Sequence, residues 1–262
     1  TGLAYHYPIK TNRYTMEDAK KYDIASSKDA EIIGLTKETI KEAAMVGHAL
    51  GLDRVIVDAH LFGFVDSNPT EKARGEYLRT GEANLLGLKK FADDCSATYG
   101  CKVALTRENN PPDHGLLLGT LDFAPQDVVR TANKGIGVCL DFAHIGQLVN
   151  YYKRGKGELP GADMSRNLYG DVTVRGAVEI TGEHLALVHI NDAYGYMMEG
   201  EGVEVGFGNF PHKTAIPLIC RKAGSVIGTY EIKYGHTDPD AMLRCDRKYR
   251  KLFGKDFERY FE

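Results

Sequence analysis

The sequence predicts an α/β fold closing as a (β/α)8 TIM barrel, on three observations. Strand-like and helix-like runs alternate along almost the whole chain. Glycines punctuate the junctions where a helix should end and a strand begin. Four strand-like runs also end on a carboxylate or an imidazole, groups that are costly to bury unless paired or bound to a cation. Parallel strands that close into a barrel point their C-terminal ends at one mouth, so these four groups can converge on one ion.

The elements follow in order. A first strand is expected over 3–7, with His6 near its end and Pro8 behind it. A helix over 35–50 carries apolar Leu35, Ile40, Ala43, Ala44, Val46 and Leu50 at helical spacing and stops at Gly51. The second strand, 54–58, closes on Asp58 with His60 two residues beyond. A helix over 83–99 stops at Gly100, and the strand at 102–107 leads into Glu108. A helix over 124–133 precedes Gly135, and the strand at 137–140 delivers Asp141. The stretch 152–174, rich in Gly, Lys, Arg and Asp, reads as a long loop after Asp141. An insertion of that length at the catalytic face of a barrel serves as a substrate lid or an interface.

The strand at 185–190 holds His189, the helix at 214–223 ends before Gly224, and the strand at 226–232 holds Glu231. The tail 249–261, with Tyr249, Leu252, Phe253, Phe257 and Tyr260, reads as an amphipathic helix packed on the barrel or at a subunit contact. That makes six strands where a closed barrel has eight. The other two are expected upstream of Thr1 or in weakly patterned segments, with an incomplete N-terminal portion the favoured alternative.

The bulk numbers bound the rest. At 262 residues, a single domain over 1–262 is expected. An apolar fraction of 43%, a charged fraction of 26% and a net charge of −3 give no broad basic field that demands nucleic acid. The five cysteines are dispersed and form no CxxC pair, which fits reduced thiols in a cytoplasmic protein. No apolar run reaches the roughly 20 residues a bilayer span needs, so no membrane partner is expected. Walker, GxGxxG, GxSxG and HExxH motifs are absent, which argues against nucleotide triphosphate and nicotinamide chemistry.

Glu108, Asp141 and Glu231 offer carboxylate oxygen and His189 an imidazole nitrogen. This oxygen-rich set suits Mn²⁺ first, with Mg²⁺, Co²⁺ and Zn²⁺ as alternatives. Taken singly, each acid is equally a helix cap or the partner of an arginine. His144 follows Asp141 at a spacing of three and is either a substrate contact or a structural histidine at a helix start. Asp192 reads as a substrate or outer-sphere group or as a turn cap, and Lys233 as a substrate contact or an ion-pair partner. His6 and His60 are candidates for substrate binding or a second ion.

The segments Arg107-Glu-Asn-Asn110, Gly137-Val-Cys-Leu-Asp-Phe-Ala-His144 and Val188-His-Ile-Asn-Asp192, with the GxG pair at Gly206 and Gly208, resemble the xylose isomerase-like TIM-barrel superfamily. That superfamily includes sugar isomerases and epimerases and the endonuclease IV group. The resemblance implies one divalent metal on Glu108, Asp141, His189 and Glu231. It also implies Glu108 and Glu231 as the proton-transfer pair on a small sugar, acting through a metal-stabilised enediolate. A related lyase reaction would use the same groups. The alternative it implies is a phosphodiesterase of abasic-site DNA, with a second ion on His6 and on Asp58 or His60. Two departures stand out. The Asp-x-His of the nuclease branch is replaced by Gly200-Glu-Gly-Val-Glu204, and the Arg that many epimerases carry after the His189 position is replaced by Ala193-Tyr-Gly-Tyr196. Homo-oligomerisation is left open.

Overall fold

The computed structural model of the chain describes residues 2–5, 30–59, 71–110, 128–154, 173–195, 200–224, 226–233, 235, 237–238 and 240–261. Their six strands are β1 (Gly2–Tyr5), β2 (Arg54–Ala59), β3 (Lys102–Glu108), β4 (Gly137–Asp141), β5 (Leu185–Ile190) and β6 (Ile227–Tyr230). They form one all-parallel sheet in sequence order. Strands added always on the same side curl the sheet, and β1 comes back beside β6. This is barrel architecture, with six strands of a (β/α)8 TIM barrel among the described residues.

The helices are α1 (Ala30–Ala49), α2 (Glu71–Tyr99), α3 (Phe142–Arg154), α4 (Val174–Thr181), α5 (His212–Ala223), α6 (Asp240–Phe253) and α7 (Phe257–Phe261). The expected helix over 124–133 is instead a short 3₁₀ turn at Val129–Lys134, closed by Gly135 at φ +82°. Its residues 124–127 lie outside the described ones. Helix α2 begins at Glu71, well before the expected start at 83. Helix α3 was not expected, although Phe142, Ile145, Leu148 and Val149 recur in it at helical spacing. Residues 142–151 are buried, with the polar face of His144, Gln147 and Asn150 covered as well as the apolar one. Part of the stretch expected as loop therefore belongs to this helix, and the loop's remaining core, 155–172, is outside the described residues.

Alternation along each strand sorts the core into an outer and an inner layer. On the helix side, Val55, Val57, Val103 and Leu105 pack under Ile40, Ala43, Leu85 and Leu88. Val138, Leu140, Val188 and Ile190 pack under Val178, Ile216 and Ile219. Each such side chain contributes roughly 1.5–3 kcal/mol by leaving water. Inside the curl, a smaller apolar floor is built from Ile56, Cys139 and Leu187. The C-terminal segment closes on the barrel through Tyr249, which is fully buried between Tyr230, His212, Phe253 and Phe261. Its hydroxyl meets His212 Nδ1 at 2.6 Å. All five cysteines are free thiols. No described helix is long and apolar enough to cross a membrane.

Candidate metal centre

Glu108, Asp141, His189 and Glu231 meet at the C-terminal ends of β3 to β6, each offering a ligand atom within 4.8 Å of the others. A local irregularity makes this convergence possible. Val138 pairs with Leu185, but Cys139 pairs with Leu187, so Ala186 is an extra residue in β5. The shift sets Asp141 abreast of His189 rather than of Val188. A register slip of one residue exchanges the two faces of a strand. Without this bulge, β5 would turn Val188 inward and His189 toward the helices.

His189 Nδ1 lies at the centre of the group. It is 2.5 Å from Glu231 Oε2, 3.1 Å from Glu108 Oε1 and 3.7 Å from Asp141 Oδ2. Glu108, Asp141 and His189 are 1–3% exposed, whereas the Glu231 side chain is 39% exposed. The site therefore opens to solvent on the Glu231 side.

Short-range bonds hold these side chains in place. Asp141 caps α3, its Oδ1 accepting from the backbone N–H of His144 at 2.8 Å, while its Oδ2 accepts from Asn191 Nδ2 at 2.7 Å. Asn191 Oδ1 also accepts from Ala143 N at 2.8 Å, so one amide ties the end of β5 to the start of α3. Asn109 Oδ1 accepts from Asp141 N at 2.9 Å and fastens the end of β3 to β4. The capping role and the cation-facing role of Asp141 thus coexist on one carboxylate.

The electrostatics of the metal-free chain are those of a site short of positive charge. Burial pushes Asp141 up to about 7, with the Glu108 and Glu231 carboxylates adding to the effect and His144 and His189 opposing it. Burial disfavours the His189 imidazolium, yet Cys139, Glu108 and Glu231 outweigh it and raise this group well above the ordinary histidine range. His144 behaves likewise, burial being overcome by Asp141, Glu201 and Glu108. A divalent ion bound here would replace the protons that hold these acids together.

The remaining candidates fall in different places. His144 adjoins the quartet, with Nδ1 3.5 Å from Glu108 and 3.6 Å from Asp141. Its Nδ1–H donates to the Asn109 carbonyl at 2.6 Å, and its Nε2 faces Glu201 Oε1 at 2.9 Å. Glu201 went unnoticed in the sequence, where it stands in a Gly-rich stretch without strand or helix pattern. It reaches the site because Val203 bridges back to Asp192. Lys233 Nζ lies 4.0 Å from Glu201 Oε2, which is the ion-pair placement.

Asp192 lies outside the quartet. Its Oδ1 accepts from Ala193 N and Phe210 N, and its Oδ2 from Gly206 N, all at 2.9 Å. His212 Nε2 is 3.5 Å away. Burial raises this carboxyl, but the neighbouring His212 and the bonds from the Phe210 and Gly206 N–H groups prevail and hold it below the ordinary range. A Cβ at Gly208 would stand 2.2 Å from Asp192 Oδ1 and 2.3 Å from the Ala193 carbonyl oxygen, which explains the second glycine of the GxG turn. His6 and His60 lie outside the described residues.

No family model matches the chain, and no curated protein matches it in sequence. Similarity appears at the level of structure. A D-tagatose 3-epimerase-like protein aligns with a TM-score of 0.55 and 18% identity, covering 94% of this chain and 79% of its own. The IOLI protein with a binding zinc atom gives 0.57 and 14%, covering 99% and 77%. L-ribulose 3-epimerase gives 0.56 and 14%, covering 98% and 85%. At these identities the likeness is one of fold, a TIM barrel.

Proposed function

We propose that this chain is a divalent-metal-dependent isomerase or epimerase of a small sugar or sugar derivative. The observation that carries the proposal is the quartet itself, three carboxylates and one imidazole drawn from four consecutive strand ends, buried except on the Glu231 side. Two structural neighbours, a D-tagatose 3-epimerase-like protein and L-ribulose 3-epimerase, support the substrate class. The zinc atom of the IOLI protein supports a metal.

The donor set fits a hard or borderline divalent cation, with Mn²⁺ favoured over Mg²⁺, Co²⁺ and Zn²⁺. Bound by Glu108, Asp141, His189 and Glu231, such an ion would supply Lewis-acid polarisation of a sugar carbonyl and its neighbouring hydroxyl. Glu231, at the open side, takes the proton from the carbon beside the carbonyl, and Glu108, from the buried side, returns one. General acid–base help of this kind contributes about 10²- to 10⁴-fold. Asp141 and Asn191 hold the ligands in register, and His144, anchored through Asn109 and Glu201, walls the site where sugar hydroxyls would lie. A cytoplasmic setting and a small-molecule partner go with this function.

The test follows deuterium entry at carbon by NMR, in D₂O with Mn²⁺ and a panel of ketoses. Exchange with at least one sugar, reduced about 100-fold or more in Glu231→Gln, is expected. No exchange with any ketose, together with metal-dependent cleavage of abasic-site DNA, would replace this function with the phosphodiesterase alternative.

A further inference from the structure

Below the quartet lies a second set of donors. Alternation places Cys139 one step beneath Asp141 on the inner face of β4, and Thr106 one step beneath Glu108 on β3. Register sets Asp58 abreast of Thr106 and Glu108 abreast of Cys139. Asp58, Glu108, Cys139 and His189 each offer a ligand atom within 4.8 Å of the others, from four consecutive strands. Their exposures run from 0% to 3%, so the whole group is withdrawn from water. Thr106 Oγ1 donates to Asp58 Oδ1 at 2.7 Å and fixes that carboxylate, as an outer-sphere partner fixes a metal ligand.

A cysteine on a barrel floor with Ile56 and Leu187 is ordinarily a small apolar filler. This one differs in its neighbours. Its thiol lies within 4.8 Å of ligand atoms of the His189 imidazole and the Asp58 and Glu108 carboxylates. The lumen gathers four carboxylates, Asp58, Glu108, Asp141 and Glu231, against two imidazoles, His144 and His189. Even with both imidazoles protonated, acid remains in excess in a region of low dielectric, and a divalent cation is its natural complement.

We infer that the barrel holds an inner cation position, made by Asp58 and the Cys139 thiolate together with Glu108 and His189, which takes thiophilic divalent ions such as Zn²⁺, Co²⁺ or Cd²⁺. One thiolate, one imidazole and two carboxylates form the mixed tetrahedral set that zinc accepts, whereas the oxygen-rich outer quartet suits manganese or magnesium. As the sulfur–metal bond forms, the S–H bond breaks and its proton passes to solvent. Glu108 and His189 belong to both sets, so the two positions are filled one at a time. An ion held at the inner position withdraws both residues from the outer one. The identity of the metal then decides whether the outer site is assembled. This inference does not depend on the sugar chemistry proposed above.

The experiment titrates the metal-stripped, full-length chain with Co²⁺ alone and records the near-ultraviolet thiolate-to-cobalt charge-transfer band. The wild type is expected to bind one Co²⁺ per chain and to show the band. Cys139→Ser should lose the band while still binding one Co²⁺ through the outer quartet. Asp58→Asn should weaken the affinity read from the band by about tenfold or more, and Glu231→Gln should leave the band in place. Cobalt bound to the wild type without the band would overturn the inference, as would a band that survives in Cys139→Ser. If the serine variant fails to fold, as judged by circular dichroism, the opposed responses of Asp58→Asn and Glu231→Gln still decide it. An absence of deuterium exchange with an intact cobalt band would sink the sugar chemistry and leave the inner position standing.

Discussion

Asp141 and Asp192 are both buried to 1% exposure, both stand at or just past the end of a strand, and both sit beside a histidine, yet they do opposite work. Asp192 has three backbone N–H groups and His212 aimed at its oxygens, and it stays ionised below the ordinary range. Asp141 has one backbone N–H and one amide, but Glu108 and Glu231 share its cavity, and it is pushed up to about 7. Burial is the same in the two places; the company differs. A buried carboxylate ringed by donors is already satisfied and organises a loop. One ringed by other acceptors calls for a cation. The contrast separates structural from metal-seeking acids more sharply than burial or strand position can.

The largest effect expected from breaking this contrast is on the loop side. Asp192→Ala strands the buried N–H groups of Ala193 and Phe210, each costing about 1–3 kcal/mol. The expected loss is about 3–5 kcal/mol of folding stability, read as a lower midpoint in urea. Manganese affinity of the molecules that remain folded should change by less than about twofold, because Asp192 touches none of the quartet. A loss of metal binding in the folded variant would erase the distinction drawn here.

Asp141→Asn is the mirror experiment. The amide keeps the shape but removes a charge from among carboxylates, so metal-free stability should shift by only about 1 kcal/mol. Metal affinity, measured by calorimetric titration, should fall about 100-fold or more, since even outer-sphere changes cost 10- to 100-fold. A variant that binds metal normally but unfolds easily would make Asp141 a helix cap and nothing else.

The sequence carried more of one region than of the other. Glu108, Asp141, His189 and Glu231 stand out because each closes a strand-like run, and parallel strands can send such residues only to a common mouth. Cys139 was legible too, since two residues before Asp141 means the same face, although in the sequence it registered only as a reduced thiol. Asp192 could not be assigned from local pattern. What satisfies it comes from residues 206, 210 and 212, brought near by the Asp192–Val203 bridge and the close approach at Gly208. Glu201 depends on that bridge as well. Helix α3 was legible from Phe142, Ile145, Leu148 and Val149 at helical spacing, but it follows Asp141 directly with no glycine or loop to mark its start.

The smallest expected effect, and the one that reads the electrostatics directly, is on pH. In the metal-free chain Asp141 is raised to about 7, and His144 and His189 are raised above their ordinary value. All three bind protons more tightly in the folded state than in the unfolded one. Their stabilisation is therefore complete at low pH and fades as pH rises, for Asp141 between about 4 and 7 and for the histidines above about 6.5. With the metal stripped by chelator, the melting temperature should fall as pH is raised from 6 to 9. Saturating Mn²⁺ displaces the same protons and should flatten that slope, while the apparent affinity for Mn²⁺ climbs through neutral pH. Asp192 is lowered rather than raised, so its contribution disappears only in acid and stays out of this window. Parallel stability profiles with and without metal from pH 6 to 9 would mean that the Asp141 cavity, like the Asp192 loop, is satisfied without a cation.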